Sequence, residues 1–182
     1  CAAPGGKTAQ LAAAGANVIA VDLAFERMKR VMTNLARLNL KAKIEVGDAH
    51  TWRPKEPADA VLLDAPCTAT GTVRRHPDVL WRNDLSDVMA QAAVQHRLLA
   101  ASAQMVKPGG LLIYCVCAPA REEGEDIVDA FLSSHPAFTR VPVTPAESEF
   151  ATPAGDLRTH PNQWRELGGL DGFYAARLRR NA

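Results

Sequence analysis

The sequence predicts an α/β fold built on a doubly wound, mainly parallel sheet that ends in a C-terminal antiparallel hairpin. Three observations predict it. Short apolar runs alternate with helix-length stretches. The first three runs end at Asp22, at Gly47-Asp48 and at Asp64, where a parallel sheet places its ligand groups. A Gly-rich turn, Cys1 to Thr8 (CAAPGGKT), opens the first helix.

The elements follow in order. After the Gly-rich turn, Ala9 to Ala14 continues as a short helix stopped by Gly15. Asn17 to Val21 (NVIAV) reads as a buried parallel strand with Asp22 at its carboxyl end, and a helix is expected from about Phe25 to Leu38. The pattern repeats with strands at Ala42 to Val46 and Ala60 to Leu63. Pro66 to Asn83 carries turn residues without a period and is expected to be a long functional loop. A helix from Leu85 to Met105 stops at Lys107-Pro108-Gly109-Gly110, and a strand from Leu111 to Val116 runs into Cys117. A helix from about Glu122 to Ser133 precedes Pro142 to Asn162, which has no clear period and is expected to be a variable loop. Gly172 to Arg179 reads as the second arm of the terminal hairpin. Gly-rich turns of this kind follow a strand, so a strand is expected before Cys1, and residues 1–182 are expected to be one N-terminally truncated catalytic domain.

Composition narrows the class. With 47% hydrophobic and 23% charged residues the chain resembles an average globular domain. No run nears the roughly 18 to 20 apolar residues that span a bilayer, so the expected setting is cytoplasmic, without a membrane, for a monomer. Cys1, Cys67, Cys115 and Cys117 lack the spacing of a zinc site, and no metal is expected. The net charge of +1 does not announce a nucleic-acid binder, so local basic clusters must do so. The candidates are Arg27 to Lys43 and Arg74-Arg75-His76, which either grip RNA or brace the loop.

Backbone amides in Ala3 to Lys7 sit where a helix N-terminus can hold the carboxylate end of a small ligand. Asp22 stands where an acid accepts ribose hydroxyls, and Asp48 where a side chain faces adenine. Cys1 flanks this turn as a structural residue. The competing phosphate-loop reading of Gly6-Lys7-Thr8 fails at its first position, which is Cys1 and not glycine.

Asp64-Ala65-Pro66-Cys67 and Tyr114-Cys115-Val116-Cys117 end two strands on the same edge, which brings two thiols and an acid together. Cytosine carbon 5 is a poor nucleophile until a thiolate adds at carbon 6 and turns the ring into an enamine. That addition is eased by a group at ring nitrogen 3, which Asp64, held protonated by burial, is placed to supply. A second cysteine can take part in release. Cys115, two residues before Cys117 on one strand, is expected to lie deeper and to be structural.

The strings CAAPGGKT, VDLAFERMKRVMTNLARL, GDA, DAPCTATGTVRRHPDVLW, KPGGLLIYCVC and GLDGFYAARL, in this order, resemble the Sun/Fmu (RsmB-type) family of RNA 5-methylcytosine methyltransferases. The resemblance implies a Rossmann-like class I methyltransferase fold, S-adenosyl-L-methionine as cofactor and small-subunit rRNA as partner. It implies that Cys117 adds to carbon 6, that Cys67 assists release, and that Asp64 contacts the cytosine at the edge of the cofactor site. It also implies that Cys1, Ala2, Ala3, Pro4, Gly5, Gly6, Lys7, Asp22, Arg27 and Asp48 hold or flank the cofactor. The chain departs from the family where Val116-Cys117-Ala118 replaces the usual Thr-Cys-Ser. Two alternatives stay open: a DNA cytosine-5 methyltransferase using Cys67, and an RNA-binding module that keeps the cofactor without catalysis.

Overall fold

The computed structural model describes residues 1–81 and 84–182; Arg82 and Asn83, which close the expected loop Pro66–Asn83, lie outside the described residues. The chain forms two compact units, Cys1–Arg53 and Pro54–Ala182.

In the first unit, helix α1 (Gly6–Ala13) is followed by strand β1 (Ile19–Asp22), helix α2 (Phe25–Arg37) and strand β2 (Lys43–Val46). β1 and β2 pair in parallel from Ile19↔Lys43 to Asp22↔Val46. Met28, Val31 and Leu35 recur at helical spacing on α2, and all three are buried against Ala9 and Ala20. Leu40, Ala42 and Ile44 complete this small core.

The second unit begins with strand β3 (Ala58–Asp64) and two 3-10 turns, Thr70–Thr72 and Pro77–Trp81, inside the long loop. Helix α3 (Leu85–Ala103) starts at a reciprocal cap: the Asp84 carboxylate accepts from the Ser86 and Asp87 amides, and that of Asp87 accepts from the Asp84 amide. Strand β4 (Val106–Val116), a 3-10 turn (Arg121–Glu123), helix α4 (Glu125–Ser134) and strand β5 (Phe138–Arg140) follow. Strands β6 (Leu157–Thr159) and β7 (Phe173–Arg180) close the chain.

β3 and β4 are parallel, with Asp64 opposite Cys115. β7 runs antiparallel to β4 on one side, and to β5 and β6 on the other. The consecutive strands β6 and β7 make the expected terminal hairpin. Along β7 the alternation expected of a strand places Tyr174, Ala176 and Leu178 in the core with Leu112, Tyr114 and Val116 of β4. Burying each large side chain contributes about 1.5–3 kcal/mol.

Two expectations need correction, and one strand was not expected. Lys107-Pro108-Gly109-Gly110 does not stop a helix ahead of β4: it lies within β4, and the register jumps from Ala58↔Val106 to Ala60↔Leu111 around it. Pro142 to Asn162 is not all loop, because β6 and a capped 3-10 turn (Pro145–Phe150) fall inside it. β5 was not expected at all. Among the described residues no helix is long and apolar enough to cross a membrane.

Candidate active site

The first unit holds the Gly-rich turn. The Ala2 amide donates to the Val21 carbonyl (3.0 Å), so the turn runs beside the end of β1. Gly5, at the start of α1, has φ of +101°, and a Cβ there would lie 3.0 Å from Val31 Cγ1 and 3.2 Å from its Cα. Only glycine combines that backbone with so close a helix. α2 secures the turn from its other side: Arg27 Nη2 donates to the Ala3 carbonyl (3.1 Å) and Asn34 Nδ2 to the Pro4 carbonyl (3.0 Å). The turn thus leads straight into the N-terminus of α1. Lys7 stands half-buried on this first turn.

Asp22 is only 1% exposed. Its carboxylate accepts from the Ala3 amide (3.1 Å), the Ala24 amide (3.2 Å) and Arg27 Nη1 (3.4 Å). Burial opposes its ionisation, but the Ala3 and Ala24 hydrogen bonds, with positive charge nearby, outweigh burial and hold the carboxyl below the ordinary aspartate range. Asp22 thus ties the turn to the end of β1, a role not anticipated for it. Asp48 is exposed, and its Oδ1 accepts from the His50 amide (2.8 Å) just beyond β2. Cys1 is half-buried beside the turn.

The second unit brings the cysteines together. Cys67 Sγ and Cys117 Sγ lie 3.5 Å apart, and both residues are partly exposed. Cys115 is buried, and its thiol donates to Asp64 Oδ1 (3.5 Å) across the β3–β4 pair. None of the four cysteines takes part in a disulfide. The hydrogen bond to Cys117, then burial, then the negative charge of Cys117 push the Cys67 thiol far above its ordinary range. These influences favour the protonated form of Cys67. Val116 and Ala118, which flank Cys117, are both fully buried, so the family's hydroxyls at these places would need partners there.

The loop after Cys67 is stitched to the end of β4. The Gly71 amide donates to the Cys117 carbonyl (3.0 Å), and the Gly172 amide to the Gly71 carbonyl (2.8 Å). A Cβ at Gly71 would stand 2.0 Å from the Gly172 oxygen and 2.9 Å from the Cys117 oxygen. Arg75 grips Asp171 through Nε (2.8 Å) and Nη2, and Arg74 Nη2 lies 3.7 Å from the same carboxylate. Arg74 and Arg75 therefore brace the Gly168–Gly172 turn. In the other basic cluster Lys29 pairs with Glu26 and Lys43 with Glu45.

Two residues escaped sequence reasoning. Glu123 is fully buried, and its carboxylate accepts from the Thr68 amide (2.9 Å), the Thr68 hydroxyl (2.6 Å) and Gln95 Nε2 (3.0 Å). Gln95, on the buried face of α3, also donates to the Pro66 carbonyl (2.8 Å). The one available signal was a Gln among apolar residues on the core stripe of α3. Among the described residues, no group of three or more His, Cys, Asp or Glu side chains is placed to hold a metal ion.

The sequence matches the family described as 16S rRNA methyltransferase RsmB/F over residues 1–179. The ribosomal RNA small subunit methyltransferase B of Vibrio vulnificus strain YJ016 is 40% identical over 189 residues, covering all of this chain and 41% of the relative. Its counterpart in Pseudomonas putida is 40% identical over 185 residues, covering 98% of this chain and 41% of the relative. The chain thus spans about two fifths of the length of these curated relatives. Among solved structures, PH0851 matches with a TM-score of 0.86 and 35% identity, covering 98% of this chain and 41% of that one. NSun6 from Pyrococcus horikoshii with SFG matches with a TM-score of 0.85 and 28% identity, covering 100% of this chain and 47% of that one. These likenesses establish the Rossmann-like class I methyltransferase fold expected from the sequence.

Proposed function

Because the chain belongs to the 16S rRNA methyltransferase RsmB/F family, we propose that it methylates carbon 5 of a cytosine in small-subunit rRNA, using S-adenosylmethionine. The observation that carries the chemistry is the Cys67–Cys117 pair, two sulfurs 3.5 Å apart at the ends of adjoining strands. The substrate class is carried over from the small-subunit rRNA methyltransferases of V. vulnificus and P. putida.

S-adenosylmethionine, when bound, supplies an electrophilic methyl group on a sulfonium. The residues of the first unit suit such a ligand: the α1 N-terminus for its carboxylate, Asp22 for the ribose, and the exposed Asp48 for the adenine side. Arg27 and Asn34 hold the Ala3 and Pro4 carbonyls of the turn against α2. Lys7 and Cys1 flank this surface.

Cys117 is the nucleophile in this reading. Its thiolate adds to carbon 6 of the cytosine, forming a C–S bond and moving an electron pair onto carbon 5. Asp64 hydrogen-bonds ring nitrogen 3 and steadies the charge that develops there. Methylated carbon 5 must then lose its proton so that the pair reforms the ring double bond and expels the Cys117 thiolate. Cys67 serves this step. Two of the three causes that hold its proton are the hydrogen bond to Cys117 and the charge of Cys117. Both vanish once that charge is spent on the bond to carbon 6, so Cys67 can release its own proton to solvent and, as the thiolate, accept the carbon 5 proton.

The test is methyl transfer from labelled S-adenosylmethionine to small-subunit rRNA, followed by base analysis. The expected product is 5-methylcytosine, absent with Cys117→Ala. Transfer to another base, or an undiminished yield with Cys117→Ala, would overturn the reading.

A further inference from the structure

Glu123 and Gln95 act on the peptide units at either side of Cys67. Gln95 Nε2 donates to the carbonyl of Pro66, the residue before Cys67, at 2.8 Å. Glu123 takes both donors of Thr68, the residue after it, at 2.9 Å from the amide and 2.6 Å from the hydroxyl. The two clasping side chains are joined by the 3.0 Å hydrogen bond from Gln95 Nε2 to Glu123 Oε1. Glu123 is itself held, since the Tyr114 hydroxyl donates to its backbone carbonyl at 2.6 Å. Tyr114 belongs to β4, the strand that delivers Cys117.

A wholly buried carboxylate is costly to place in a protein and persists only where its hydrogen bonds are met. Here its donors come from segments 28 and 55 residues away in sequence. They converge on the one loop that carries Cys67. The Thr68 hydroxyl also lies 3.2 Å from the Thr70 hydroxyl, so the same contact extends toward Gly71 and its bond to the Cys117 carbonyl. Among the described residues Gln95 Oε1 is buried without a hydrogen-bond partner, and this amide is oriented by its two donated bonds.

We propose that Glu123, with Gln95, is the positioning residue that holds the Cys67 thiol against Cys117. The proposal deepens the reading of Cys67 as the release base and rests on it for its catalytic consequence. Glu123 touches no reacting atom; it acts through the Pro66–Thr68 peptide units. Without the clasp, Cys67 leaves the 3.5 Å contact with Cys117, and the covalent RNA intermediate outlives its normal turnover.

Two measurements on the full chain test this. The first is alkylation of each cysteine by iodoacetamide, read by mass spectrometry of the labelled peptides without RNA or cofactor. Glu123→Ala is expected to raise Cys67 labelling at least fivefold, and Glu123→Gln, which keeps an acceptor for the Thr68 amide, to restore it to within twofold of the parent. Gln95→Ala, a smaller disturbance should Glu123→Ala fail to fold, is expected to shift Cys67 labelling in the same direction. Cys67 labelling that stays at the parent rate in folded Glu123→Ala or Gln95→Ala overturns the proposal. The second is the amount of covalent protein–RNA adduct during turnover. Glu123→Ala is expected to accumulate adduct as Cys67→Ala does, with Glu123→Gln near the parent. Adduct in Cys67→Ala but none in folded Glu123→Ala overturns the positioning role alone. A Cys67→Ala protein without adduct strikes the release reading, leaving the labelling result to decide the clasp.

Discussion

Gly71 lies between the Cys117 carbonyl and the Gly172 backbone, where the added methyl of alanine would sit 2.0 Å from an oxygen. Backbone on both sides leaves no flexible side chain to yield. Gly71→Ala is expected to cost roughly 3 kcal/mol, the upper end of the usual overpacking range, read as a fall in the chemical-denaturation midpoint. The same residue scale governs Asp22. Its carboxyl is held below 3.8, its ordinary value, so the stabilisation it gives is complete above that pH. The stabilisation is lost as pH falls from 3.8 through the depressed folded value. An NMR titration of the Asp22 carboxyl is expected to show a midpoint under 3.8, and Asp22→Asn to flatten the acid limb of the stability curve. At this scale the sequence was informative about chemistry and less so about support. The cysteines and Asp64 stand at strand ends, which a run of apolar residues reveals. Glu123 is different: its partners Gln95 and Thr68 lie 28 and 55 residues away, and no local pattern joins them.

Among the elements, α2 and α3 were legible because helix-length stretches between apolar runs are local signals. Asp84 and Asp87 satisfy each other's backbone amides at the start of α3. Asp84→Ala is expected to destabilise the second unit by about 1 kcal/mol in a thermal melt, with the cysteine pair unaffected in its alkylation. β5 and β6 were not legible. Each is three residues long, and each exists as a strand because β7 offers it a hydrogen-bonding edge. Three residues carry too little alternation to stand out from Pro-rich surroundings. The Lys107-Pro108-Gly109-Gly110 segment misled for a related reason. Pro and Gly are turn residues in isolation, yet here they form an irregular stretch within β4 before it pairs again at Leu111. The Arg74-Arg75 pair reads in sequence as either an RNA grip or a loop brace, and Arg75 pairs with Asp171. Asp171→Asn is expected to loosen the Gly168–Gly172 turn, seen as faster amide hydrogen exchange at Gly172, whose N–H bonds Gly71.

At the scale of the molecule, membership of the RsmB/F family and the paired thiols support one account: an RNA cytosine methyltransferase that divides its chemistry between two cysteines. The division follows from their unequal environments. Contact with Cys117 and burial favour a protonated Cys67, and on that ground Cys117 is proposed for attack and Cys67 for release. The measurement that tests this most directly is mass spectrometry of the covalent adduct formed by Cys67→Ala with small-subunit rRNA and S-adenosylmethionine. The account predicts a 5-methylcytosine nucleotide attached through the Cys117 sulfur. An adduct attached at any other residue, or on an unmethylated base, would contradict it.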